Sequence, residues 1–97
     1  MTAFAQLRLE HMRLSILQLL EKVGADVGEP LLRSAIHGLG HRPVSLRHEL
    51  EWLQDHGLVG LIETAGAPKV RLSEYGYSVA GGDESVAGVA RPRPGDR

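Results

Sequence analysis

The chain opens on an apolar rhythm of helical period. Across residues 5–23, AQLRLEHMRLSILQLLEKV, the positions Leu9, Met12, Ile16, Leu19, Leu20 and Val23 recur at three- and four-residue steps, with Arg8, Glu10, Arg13 and Glu21 on other faces. This predicts a long amphipathic first helix, stopped at Gly24, with GADVGEP after it as loop. Pro30 suits the first turn of a second helix, where its missing N–H removes no bond. That helix runs through LLRSAIHGL with Leu32, Ala35, Ile36 and Leu39 inward, and ends at Gly40. After the short connection GHRPV, Ser45 is placed to cap a third helix whose inward residues are Leu46, Leu50 and Leu53. Gly57 supplies the left-handed residue that ends it.

Beyond Gly57 the period changes. LVGLIET and KVRLS are strand-like, and AGAP between them carries turn residues, which predicts a two-stranded hairpin. Ser73 then caps a last short helix, EYGYSVA. From Gly81 the text GGDESVAGVARPRPGDR holds four glycines, two prolines and few large apolar residues. It reads as a flexible tail, or one that orders only against a partner, with residues 83–97 dispensable for folding. The expected organisation is one domain over residues 5–80 and a tail over 81–97. The fold class is mainly α with a small β-hairpin, in the order helix, helix, helix, strand, strand, helix.

At 97 residues the chain is near the lower end of what folds around one core, and with aromatics at only 4% that core must be aliphatic. The absence of cysteine excludes a disulfide framework, a thiolate metal site and a cysteine nucleophile. No run approaches the ~18 apolar residues of a membrane span, and the N-terminus lacks a basic-then-apolar leader, so a cytoplasmic protein with no membrane partner is expected. No serine sits in a glycine-flanked elbow and no loop is built to cradle phosphate. No enzymatic activity, cofactor or small-molecule substrate is expected.

The formal net charge of -1 hides a local polarity. From Pro30 to His48 there is no acid, while Arg33, Arg42, Arg47, His37, His41 and His48 occur. A second acid-free stretch, Thr64 to Ser73, holds Lys69 and Arg71. His37, His41 and His48 could in principle hold zinc. Gly38 and Gly40 interrupt the helical spacing of the first two, however, and no metal site is expected. Trp52 reads as a partly buried lid over the first helix or the hairpin, and Tyr75 and Tyr77 as packing residues of the closing helix.

A helix-turn-helix followed directly by a hairpin resembles a winged-helix DNA-binding domain, of the kind found in bacterial metalloregulatory and multiple-antibiotic-resistance repressors. The likeness rests on RLSILQLL in the first helix, LEWLQDHGLV at the end of the third, and VRLSEYGYSVA after the wing. The last of these resembles the leucine, serine or threonine, two residues, glycine signature that closes a wing. The same third-helix ending, together with VAGVARPRPG in the tail, is similar to small winged-helix proteins of Mu-like transposable phages and prophages. The thiolate ligands of the metal-sensing repressors are absent here, so metal sensing is not implied.

The resemblance implies that the third helix reads double-stranded DNA, in a regulator that acts as a homodimer. Leu7, Leu14 and Leu17 offer apolar surface for the second copy. On the outward face of the third helix, Ser45, Arg47 and His48 fall in the half that would enter the major groove, where Arg47 is suited to guanine O6 and N7. Arg42 would meet a phosphate, and Lys69 and Arg71 the flanking backbone. Glu49, Glu51 and Asp55 on the same helix point to the alternative, a winged-helix module that binds protein.

Overall fold

The computed structural model describes residues 2–93. Their elements are α1 (Ala3–Val23), β1 (Val27–Gly28), α2 (Glu29–Gly38), α3 (Leu46–Asp55), β2 (Val59–Ile62), β3 (Lys69–Leu72) and α4 (Glu74–Gly81). This is the mainly α, winged arrangement expected. Three helices start on a hydroxyl: Thr2, Ser45 and Ser73 accept from the amides of Ala5, His48 and Gly76. Among the described residues no helix is long and apolar enough to cross a membrane.

The sheet has one strand more than the hairpin predicts. β3 pairs antiparallel with β2 on one side, Val59 opposite Leu72 and Ile62 opposite Lys69, and with β1 on the other, Val27 opposite Val70. GADVGEP is therefore not wholly loop. A two-residue strand is too short to leave a period in the sequence, and its cause is tertiary: β3 has a second edge to satisfy.

Ile16, Leu17, Leu20, Leu32, Ile36, Leu50, Leu53, Leu58, Val70 and Val79 form the fully buried centre. The third-helix stripe is as expected. On α1 the buried face is rotated from the predicted one: Leu14, Leu17 and Arg13 are buried, while Val23 is exposed. On α2, Leu39 is also exposed. Leu14 and Leu17 are consequently not surface for a second copy. Gly76 explains the closing signature of the wing physically. A Cβ there would collide with the Leu58 carbonyl, so α4 approaches the sheet only with glycine at that position.

The largest departure lies after α4. Residues 82–93 are a seated strap instead of a free tail; residues 94–97 of the expected tail lie outside the described residues. Val89 is 6% exposed and joins the core, with Val86 packed against it. The Ala90 amide donates to Glu10 O at 3.1 Å, and Arg13 Nη1 to Gly88 O at 3.0 Å. The low apolar content of this stretch misled, because one valine and two backbone groups suffice where a buried site waits for them.

Gly88 has φ +97°, and a Cβ on it would lie 2.6 Å from the Trp52 ring. Gly88→Ala is expected to destabilise by ~1–3 kcal/mol. Truncation after Gly82 should lower the melting temperature by roughly 10 °C, since losing Val89 alone removes about 1.5–3 kcal/mol of burial. An unchanged melting curve for the truncated chain would restore the free-tail reading.

Candidate nucleic-acid interface

α3 presents two flanks of different character. On the wing side stands Arg47, 43% exposed at its side chain and surrounded by carboxylates from three elements. Its guanidinium lies 3.2 Å from Glu63 at the end of β2, 3.6 Å from Glu51 one turn on, and 3.6 Å from Glu29 at the start of α2. Glu29 is itself nearly buried and also pairs with Arg33 at 3.1 Å. Arg47 thus fastens α2, α3 and the hairpin together, and its charge is spent among acids.

The remaining expected contacts divide. Ser45 is consumed as the cap, its Oγ accepting from the His48 amide at 3.1 Å. The His48 side chain is exposed. Arg42 is exposed and folds back, Nη1 donating to His37 O at 2.8 Å and His41 O at 3.0 Å. It closes the C-terminal end of α2, where a cation is favoured, and among the described residues no carboxylate pairs with it. Lys69 is exposed on β3. Arg71 is held in a two-pronged pair with Asp26, Nε and Nη2 each at 2.9 Å. The hydrogen bond from Arg71 holds the Asp26 carboxyl below its ordinary range, with the charges of Arg71 and Lys69 adding to it. Arg42, His48 and Lys69 are therefore the available cationic or titratable groups, and Arg47 and Arg71 are engaged.

Among the described residues no three acidic or histidine side chains converge as a metal site would require. His41 points back to α1, where its Nε2 meets Ser15 Oγ at 3.1 Å. Burial, and then the nearby charges of Arg8 and His11, hold His41 below the usual histidine range.

On the other flank of α3, Glu49 and Trp52 meet a partner from α1 that the third-helix pattern does not predict. Arg13 Nε donates to Glu49 Oε1 at 2.9 Å, both side chains nearly buried, and the guanidinium lies 3.8 Å from the Trp52 ring centroid. His56 stacks on the same indole at 3.8 Å. Trp52 does act as a lid, but over an arginine. A signal was present: Arg13 lies four residues from both Leu9 and Leu17, within the apolar stripe instead of opposite it. Arg8 is exposed on α1 with its guanidinium over the Phe4 ring, a cation outside the third helix and the wing.

The chain is 36% identical over 88 residues to a protein of Escherichia phage Mu described as "Uncharacterized protein gp26", spanning 88% of this chain and 91% of the other. No protein-family model and no solved structure matches it.

His41 generates a pH dependence of stability. Its folded-state pKa lies below the unfolded value of 6.5, so the unfolded chain binds the proton first. Stability from this group is complete above about pH 6.5 and declines as pH falls below it. Melting temperature should therefore decrease on going from pH 7 toward pH 5, and His41→Gln should flatten that decline. A decline equally steep in the variant would assign it to other groups.

Proposed function

This chain belongs to the family of the phage Mu protein gp26, and on that premise we propose that it is a small winged-helix regulator of phage or prophage origin. In this reading it binds double-stranded DNA sequence-specifically as a homodimer. The observation that carries the reading is the adjacency of α3 and the hairpin. α3 packs directly on β2, which sets its outward flank beside the β2–β3 wing, so the two could engage one duplex together.

The roles follow from what is free. Arg42 and Lys69, without carboxylate partners among the described residues, contact phosphates, as do the first-turn amides of α3. His48 faces base edges. Arg47 reaches guanine only by leaving its acids. Each of those contacts on a half-exposed side chain contributes about 0.2–1 kcal/mol, against about 1–3 kcal/mol for a bidentate guanine pair. The exchange is nearly balanced, and Glu29 keeps Arg33 when Arg47 departs. Phe4 and Leu7, 69% and 55% exposed on α1, supply apolar surface for the second copy.

A second reading, a protein-binding adaptor, is favoured by one specific observation. The wing-side flank of α3 carries exposed Glu51 beside Arg47, and Glu63 faces the same space. These acids repel a phosphate backbone.

Fluorescence anisotropy on random and selected duplexes across a salt series separates the two. Two free phosphate contacts per subunit imply a log–log salt slope of about -4 for a dimer. Lys69→Ala should weaken binding to all sequences alike and reduce the slope by about 2. Arg47→Ala should act mainly on the preferred sequence, and Glu63→Gln should tighten binding generally by releasing Arg47. Absence of binding tighter than ~0.1 mM at low salt would leave the adaptor reading in its place.

A further inference from the structure

On the side of α3 away from the wing lies a trough of about 1040 Å³, walled by the N-terminal half of α1, the α2–α3 turn, α3 and the strap. Its volume is at the upper end of the ~300–1,000 Å³ of small-molecule sites, and it is open rather than enclosed in shape. Leu9, Pro43, Val44 and Trp52 give it apolar surface, and Val44 is fully exposed there. Ala87 and Gly88 of the strap form one end.

The charge of this trough is distinctive. Four arginines, Arg13 in the wall of the trough and Arg33, Arg47 and Arg71 outside it, are paired with carboxylates. Arg8 and Arg42, which line the trough, have no carboxylate partner among the described residues: Arg8 lies over Phe4, and Arg42 donates to backbone carbonyls. His48 adds an exposed imidazole to the rim, while His41, turned toward Ser15 and held neutral by burial, adds no charge. Glu49 is the one acid among the described lining residues, and Arg13 neutralises it.

From an apolar trough between two helices, rimmed by unneutralised cations, we infer a docking site for an acidic amphipathic helix of a protein partner. Its apolar stripe lies along Leu9, Val44 and Trp52, and its carboxylates meet Arg8 and Arg42. A duplex fits this surface less well. Phosphates would meet the rim, but the apolar wall would stay uncovered. A second copy of α1 fits less well too, because it would bring Arg8 against Arg42 and the histidines. The inference does not depend on DNA binding, although Arg42 and His48 belong to both surfaces. An occupied trough would compete with phosphates for those two side chains.

The test is selection of helical peptides from a display library against the full chain, followed by titration of the selected peptides with Trp52 emission as the readout. Selected sequences should carry Glu or Asp flanking an apolar stripe at helical spacing, and binding should shift the emission. Arg8→Glu should weaken the selected peptides tenfold or more, whereas Lys22→Glu, at the far end of α1, should leave them unchanged. Selected peptides without an acidic excess, or equal binding to the Arg8→Glu variant, would overturn the inference. Two further outcomes would do so by naming a different occupant. One is a duplex that shifts Trp52 emission through Arg8 where acidic peptides do not. The other is self-association of the chain that the Arg8→Glu variant abolishes.

Discussion

The buried pair between Arg13 and Glu49 is the contact on which the arrangement of the other parts depends. α1 packs chiefly against α2, α4 and β3, and α3 against β2. Arg13 and Glu49 reach across and tie the two helices directly at 2.9 Å. Taking two charges out of water costs several kcal/mol each, so such a pair is tolerated only when its remaining hydrogen-bonding capacity is met. Here the Gly88 carbonyl accepts from Nη1 and the Trp52 ring covers the guanidinium. No buried side-chain polar atom is left without a partner among the described residues. One ion pair thereby orients α3 and fixes where the strap lies.

That constraint divides α3 lengthwise. The flank toward the wing is an electrostatic joint, with Arg47 drawn to acids from α2, α3 and the end of β2. The opposite flank is an aromatic and cationic surface built around Trp52. Chemistry of two kinds is offered by ten residues of helix. It also explains the mixed charge of the sequence there: Glu49 answers Arg13, Glu51 answers Arg47, and neither is simply a solvated surface residue.

Much of this was legible in the residues. The stripe Leu46, Leu50 and Leu53 predicts the buried face of α3, and Ser45 and Ser73 predict their helix starts, because caps and apolar period are local physics. Three things were not legible. β1 exists because β3 has a free edge. The strap is seated because a site between α1 and α3 accepts Val89. Arg47 and Arg71 are occupied because Glu63 and Asp26 are brought close only by the finished fold. Each depends on residues distant in the chain, and no window of sequence contains both partners. Family membership reaches no further than kinship with a phage protein.

The strap also bears on the order in which the molecule is completed. Arg13 and Gly88 are separated by 75 positions, so their contact closes almost the whole length of the domain into one loop. Closing so long a loop has an entropic cost that local contacts must first offset. Without the strap, the Arg13 guanidinium lacks the carbonyl that completes it, and the hollow that takes Val89 is open to water. The seat is built by residues of the first helix, and the group that closes it comes from the far side of the domain in sequence. A chain in which the strap is cut or displaced would therefore present an aliphatic patch to solvent beside Arg13, a surface prone to association.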